Sequence, residues 1–499
     1  MRAEHSSLVD YLASTLPAAD RARIGLISFS QWTFTIGAVV ETGVAARDLG
    51  SQVTFGFWAD ETPLKDTGWR ASRRIANLLG SRTRDQNAEK ALLASGFAKA
   101  DFAAPPIRRW RPRDLPPLPK KVTRADVRSM TYRGSDMGRS ILQVHPDANT
   151  PIRDDHVWPR AYVDAAMRSY AWAFDQAHQL IRDRDLTCVA VFNGRFTHDR
   201  AVAAAAQQLG VNVLYYDTGG YETDFDLTTA STHDWVDLQR RMHKMFESWD
   251  SPEREQIGSR WFLNRQTHAD ANNALFTGIQ VVGHLEELPE GDPLIVYFSS
   301  SGDEIAELEL DWSEYLHSQE QALSVLADAC RRMPGAKLVV RTHPHMRLKP
   351  AEDLVDWVAA VERAKPDTHF GPESIVDSYS LMRSADIVFT YGSTSGVEAA
   401  FMGRPVVVMG PSAYDALGCA HRIRHASEIP ALLQTPPDVF PDKALPYGLM
   451  MERRGFRYSA ISGHGEHAKL GEVPVREASD LARRISDYFN RRSAARLLG

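Results

Sequence analysis

The chain has 499 residues, 43% of them apolar and 24% charged, and its 58 basic side chains stand against 64 acidic ones for a net charge of −6. That length calls for two or three domains. The composition excludes a collagenous, disordered or disulfide-stapled chain, and the acidic balance excludes an overall basic field for nucleic acid. The three cysteines, Cys188, Cys330 and Cys419, are scattered, form no metal-ligand or redox motif, and fit a reducing compartment.

The opening MRAEHSSLVDYLASTL has no basic segment leading into an apolar one, and no apolar run is long enough to span a bilayer. A cytoplasmic protein is expected, and a peripheral membrane contact is compatible with it. IGLISFS, the helical pattern of QWTFTIGAVVETGVAARDLG and then SQVTFGFWAD form a strand–helix–strand unit, which predicts a parallel sheet with right-handed crossovers. Between Ala104 and Arg124, proline alternates with arginine and lysine; this segment reads as a solvated strap or as a basic surface for an anionic acceptor, headgroup or partner. LTCVAVFNGR, the alanine-rich THDRAVAAAAQQLG and VNVLYYDTGG form a second such unit, with Gly210 suited to the helix C-cap. The polar helical stretch from Ser231 to Asn273 is expected to pack outside this sheet.

EELPEGDP marks a change of composition, and LIVYFSSSGDE restarts the strand pattern. Three segments are therefore expected: residues 1–285 as one Rossmann-like domain, 286–470 as a second, and 471–499 as a closing amphipathic helix. The predicted fold class is α/β, two doubly wound domains facing across a cleft.

Four loops carry chemistry. In TYGSTSGVEAAFMG a strand ends at Thr390 and a helix starts near Gly396, so backbone N–H groups and the hydroxyls of Ser393, Thr394 and Ser395 suit a phosphate, with Glu398 placed for ribose hydroxyls. Simple capping by Ser395 is the alternative. No P-loop or GxGxxG fingerprint is present. VVRTHPH delivers Arg341 and His343 to a strand end, one as a fork for phosphate and the other as a donor or acid near neutrality; a metal at His343 and His345 has no acidic or cysteine partner nearby. Ser300 and Ser301, in FSSSGDE, read equally as phosphate contacts or as a helix cap. In the first half, Asp217 stands beside a Thr-Gly-Gly turn as a candidate general base or an Asx-turn residue. Asn193, Arg195 and Glu222 are candidate acceptor binders, Asp224 is a weaker carboxylate, and Glu41, Ser30 and Thr35 are explained by core or cap roles.

Together these residues resemble GT-B glycosyltransferases of bacterial surface polysaccharides, in particular capsule-type Kdo transferases and the sialyl- and polysialyltransferases. Asp217-Thr218-Gly219, His343-Pro344 and Ser393-Thr394-Ser395 match that family's acidic-x-Gly, His-Pro and serine motifs in order, over roughly residues 190–410. The acidic motif here has one carboxylate followed by threonine rather than two acids. The resemblance implies a metal-independent enzyme with no cofactor, a nucleotide-sugar donor (CMP-linked) and a glycan or glycolipid acceptor. Asp217, in the acceptor-side domain, would deprotonate the acceptor; in the nucleotide-sugar-binding domain His343 would bind the nucleotide phosphate or assist its departure, and Ser393, Thr394 and Ser395 would hold it, beside the contacts read from the loops themselves, Arg341, Ser300, Ser301, Gly396 and Glu398. The rivals are a CDP-glycerol-type phosphotransferase, a sugar-nucleotide 2-epimerase and a non-catalytic scaffold of a polysaccharide complex.

Overall fold

The computed structural model describes residues 3–16, 22–29, 33–58, 88–143, 154–221, 223–270, 277–301, 307, 316, 318–348, 351–459, 461–462, 469–470 and 473–474. They fall into two compact units, Met1–Thr232 with Arg454–Gly499, and His233–Arg453.

The first unit contains α1 (Ala3–Thr15), β1 (Arg23–Ser28), α2 (Thr33–Asp48), β2 (Gln52–Phe57), α3 (Arg160–Asp183), β3 (Cys188–Phe192), α4 (Thr197–Gln208), β4 (Asn212–Thr218) and β5 (Asp224–Thr228). Strands β4, β3, β1 and β2 lie side by side and run parallel, as the strand–helix–strand pattern predicts. β5 adds antiparallel to β4. Successive residues of a strand point to opposite faces, and both faces are apolar. Ile27, Val189, Val191 and Val213 join the core on the α3–α4 side, while Ile24, Leu26, Ala190 and Leu214 join that of α1 and α2. Such continuous apolar runs belong to strands covered on both faces.

The second unit contains α5 (Trp235–Ser248), α6 (Glu253–Gln266), β6 (Leu294–Phe298), α7 (Gln319–Arg332), β7 (Lys337–Arg341), α8 (Ala351–Ala364), β8 (Thr368–Phe370), α9 (Ser378–Ser384), β9 (Ile387–Thr390), α10 (Ser395–Phe401), β10 (Val406–Val408), β11 (His421–Arg422), α11 (Ile429–Gln434) and α12 (Leu445–Arg453). All six strands are parallel, in the order β8-β7-β6-β9-β10-β11. This is the doubly wound dinucleotide-fold order, whose direction of winding reverses between β6 and β9. Both units are thus Rossmann-like, as the sequence predicts.

The division differs from the predicted boundary at 285/286. Helix α5 is amphipathic and the polar α6 buries Ile257 and Phe262; both pack within the second unit, where Met242 and Phe262 share its core with Tyr447 and Met450. Phe262 stacks on Phe401 at 4.3 Å. Two glycines let α6 and α12 touch, since a Cβ on Gly258 would meet the Leu445 carbonyl oxygen at 2.7 Å and one on Gly448 the Gly258 oxygen at 2.2 Å. After α12 the chain returns to the first unit earlier than expected, where β12 (Phe456–Arg457) pairs antiparallel with β5. The predicted closing helix 471–499 lies, apart from Val473–Pro474, outside the described residues.

Candidate functional site

Ligands of doubly wound sheets sit outside the carboxyl ends of the strands, at the reversal point. In the second unit a cavity of about 150 Å³ occupies that place. The segments following β6, β7 and β9 supply Ser299, His343, Ser393, Thr394 and Ser395, and Arg341 enters from the last residue of β7. Tertiary packing adds Arg265, Thr277, Gln280, Ser378 and Tyr379, from parts of the chain that carried no motif.

Arg341 dominates the electrostatics. It is 1% exposed, and its guanidinium donates to two carbonyl oxygens, those of Gly371 and, at 3.2 Å, Ser374. No carboxylate pairs with it among the described residues, and its Nε is buried without a partner. Burial pulls its pKa down to about 10, which leaves it charged at neutral pH. A buried charge is normally paired, because desolvating it alone costs several kcal/mol; this one faces a cavity. His343 is fixed beside it: its backbone N–H donates to the Ser299 hydroxyl at 2.8 Å, and its Nδ1 accepts the His345 N–H at 3.2 Å. In a neutral ring that bond assigns the remaining proton to Nε2, making it a donor.

The serine loop is rigid. The Ser393 N–H donates to Thr390 Oγ1 at 3.0 Å, Ser393 Oγ donates to Ser395 Oγ at 3.2 Å, and Tyr414 Oη donates to the Ser393 carbonyl at 2.7 Å. Gly392 has φ +88°, and a Cβ there would lie 1.9 Å from the Pro411 oxygen. Gly392→Ala is therefore expected to lose at least about 2 kcal/mol of stability, from the left-handed backbone and the clash together. Urea denaturation checks this, and an unchanged midpoint would show that the turn is not obligatory. Simple capping by Ser395 is not what the loop does, since α10 begins at Ser395 and its N-cap, Thr394, makes no side-chain cap bond. The helix has only seven residues, so it brings no long dipole to the loop, whose polar groups are the hydroxyls beside Arg341.

Other expected contacts are placed differently. Ser300 and Ser301 are buried and do not line the cavity; Ser299 does. The Ser300 hydroxyl donates to the Tyr391 carbonyl at 2.9 Å and its N–H to Gln319, so it braces the framework. Gly396 lies beneath Tyr414, where a Cβ would meet the phenol oxygen at 2.1 Å. Glu398 reaches the cavity with Oε1 already accepting from Arg265 Nε at 2.5 Å and from Tyr379 Oη at 3.0 Å. Burial opposes the charge on Arg265, but the Glu398 carboxylate outweighs it and raises the pKa.

In the first unit, Asp217 is the half-buried penultimate residue of β4, and desolvation raises its pKa above the ordinary 3.8, opposed by the Thr218 N–H, the Asn193 amide and the charge of Arg454. Asn193 takes φ +55° at the end of β3, a conformation asparagine tolerates. There its amide donates to Asp217 Oδ2, so it positions that carboxylate. Arg195 donates to Gln143 Oε1. Glu222 and Ser30 lie outside the described residues. Asp224 accepts from Thr223 Oγ1 at 3.0 Å. Thr35 is buried, and Glu41 accepts from the N–H and, at 2.7 Å, the hydroxyl of Ser459, clasping the returning chain in the structural role expected of it.

Among the described residues no group of three His, Cys, Asp or Glu side chains is placed to hold a metal ion, and no helix is long and apolar enough to cross a membrane. Sequence comparison with curated proteins finds no match. Among solved structures the chain is similar to two of KpsC from Thermosulfurimonas dismutans. One is a beta Kdo 2,4 transferase, with 14% identity over 53% of this chain and 79% of that one and a TM-score of 0.33. The other is a beta Kdo 2,7 transferase, at 15%, 55%, 80% and 0.35. A UDP-GlcNAc 2-epimerase of Neisseria meningitidis bound to UDP-GlcNAc follows at 11%, 57%, 79% and 0.25. Overlaps this loose carry no activity from those proteins to this one. Residues 310–439 match the family described as capsule polysaccharide biosynthesis protein. What the chain shares in sequence with a described family is therefore this one stretch, less than half its length, which takes in Arg341, His343-Pro344 and the serine loop but not Asp217.

Proposed function

We propose that the chain is a glycosyltransferase of surface-polysaccharide assembly, moving a sugar from a nucleotide-activated, CMP-linked donor to a glycan or glycolipid acceptor. The observation that carries this reading is Arg341, a buried cation with no carboxylate partner among the described residues, facing a cavity it shares with His343 and the hydroxyls of Ser299, Ser393, Thr394 and Ser395. Such a site takes an anion. The nucleotide phosphate gains negative charge as the sugar–phosphate bond breaks, and preorganised donors there stabilise that transition state without a metal. Arg341 and the Ser393–Ser395 hydroxyls would hold the phosphate, and His343 Nε2–H would donate to the departing oxygen. In the first unit Asp217 is the candidate base for the acceptor hydroxyl, and its raised pKa brings it nearer the range in which a carboxylate accepts a proton effectively. The match of residues 310–439 to capsule proteins supports the polysaccharide context.

Thermal unfolding with CMP, CDP, UDP, UDP-GlcNAc and GDP tests the reading. A ligand at about 100 times its Kd should add about 2.7 kcal/mol, and Ser395→Ala and His343→Ala should lose most of the gain. Preference for UDP or GDP would remove the CMP-linked donor, and stabilisation by none of the five would remove the nucleotide altogether.

A further inference from the structure

The proline- and arginine-rich strap of the first unit has a definite course. The Ile107 N–H donates to Gln176 Oε1 at 2.8 Å and its carbonyl accepts from Gln176 Nε2 at 3.0 Å. Trp110 Nε1 donates to Asp175 Oδ2 at 2.9 Å. Further on, Arg160 Nη1 donates to the carbonyls of Leu118 and Pro119 at 2.7 and 2.6 Å. The strap is thus pinned first near residue 175 of α3 and then at residue 160, so it runs antiparallel along the helix for about 24 Å, at 1.5 Å per helical residue. Trp110, Leu115 and Leu118 turn inward against the core.

What remains outside is charge. Arg108, Arg109, Arg111, Arg113, Lys120 and Lys121 are all exposed, none has a carboxylate partner among the described residues, and Asp114 is the single acid between them. Six prolines, at 105, 106, 112, 116, 117 and 119, deny the segment helix or central-strand structure. With its backbone fastened to α3, the strap holds these cations spread out on an outer ledge. The chain as a whole is acidic, so the ledge is a local reversal of sign.

We propose that this ledge docks the protein on an anionic lipid bilayer. A row of cations some 24 Å long on a pinned segment suits an extended negative surface, over which basic side chains add their attractions within about one Debye length. No aromatic residue of the strap is turned outward, so it offers neither an anchor for insertion nor a platform for stacking a sugar or a base. The contact is electrostatic and superficial. The inference stands independently of the nucleotide cavity, which lies in the other unit.

Vesicle co-sedimentation of the full chain tests it, with phosphatidylglycerol-containing and pure phosphatidylcholine vesicles at about 0.05 and 0.5 M salt. The wild type should bind only the anionic vesicles and only at low salt. The combined variant R108Q/R109Q/R111Q/R113Q should bind on the order of 1,000-fold more weakly. It should keep its melting temperature and nucleotide response, since all four side chains are exposed. Arg332→Gln with Arg363→Gln, two exposed arginines of the second unit, should bind like the wild type. Equal binding by the strap variant, no binding by the wild type at low salt, or capture by a soluble anionic polysaccharide without vesicle binding would each overturn the proposal.

Discussion

In Arg341→Gln, nucleotide affinity is expected to fall about 100- to 1,000-fold, roughly 3–4 kcal/mol, the scale for truncating one member of a buried, hydrogen-bonded charge pair. The free protein should lose little stability. Glutamine keeps an N–H for one of the two carbonyls that Arg341 now serves, those of Gly371 and Ser374. The second carbonyl loses its donor at a cost of about 1–3 kcal/mol, which is offset by no longer burying a charge that has no anionic partner among the described residues. The expected signature is therefore a melting temperature that stays within a few degrees without ligand and no longer responds to CMP. Isothermal titration and thermal unfolding of the same preparation measure both. Retained nucleotide affinity would show that Arg341 is a strut between two loops and would remove the main support for the proposed activity.

Asp217→Asn should depress sugar transfer by about 10²–10⁴-fold, the usual contribution of a positioned base, with nucleotide binding intact. The pH dependence provides a readout that a structural role would not move. A base acts deprotonated, so kcat/KM falls as pH drops through its pKa, and desolvation places that limb above the ordinary 3.8. The Asn193 amide lowers this pKa by donating to the carboxylate. Asn193→Ala should therefore shift the acid limb to still higher pH while sparing the alkaline side. The linkage to stability has the opposite sense. A carboxyl whose folded pKa is raised favours the fold when protonated, and that stabilisation is lost as pH rises through the folded value. Asp217→Asn, which mimics the protonated form, should accordingly gain stability relative to wild type at neutral pH and lose that advantage below pH 4 or so, where the wild type is protonated as well. An Asp217→Asn enzyme with full transfer activity would leave the carboxylate as a turn residue, the alternative its place beside Thr218 and Gly219 already allows.

Much of this molecule is written locally. LIVYF, KLVVR and IVFT are apolar, β-branched runs of strand length bounded by Ser, Gly or Pro, and each forms a parallel strand because both its faces find helices to cover them. Loops that follow such strands open at one edge of the sheet whatever their composition, so the Thr342-His343-Pro344 turn and the Gly392–Ser395 turn were bound to open at the same edge once the alternation of strand and helix was recognised; the strand order, with β6 between β7 and β9, decided how close they come. The sequence marked α5 and α6 as helices for the same local reason. It had no means of saying what these polar helices pack against, because a few apolar side chains specify burial and not a partner; the contact with α12, nearly two hundred residues away, set the boundary at Thr232.

The finer chemistry of the cavity was decided in three dimensions. Whether Ser299, Ser300 or Ser301 lines it depends on where β6 ends and on hydrogen bonds to Gln319, Tyr391 and His343, all distant in the chain. Arg265 and Tyr379 carry no motif and enter through Glu398, whose Oε1 they both engage. The exposed cations of the strap were visible as letters, but their fixed display came from Gln176, Asp175 and Arg160 on α3. By itself the sequence determined the two α/β halves, their strand–helix alternation and the loops that carry chemistry, because hydrophobic period and turn residues act over a few positions. The tertiary structure alone decided which cation stands without an anion among the described residues, since a buried charge is paired or unpaired only by what the rest of the chain brings beside it.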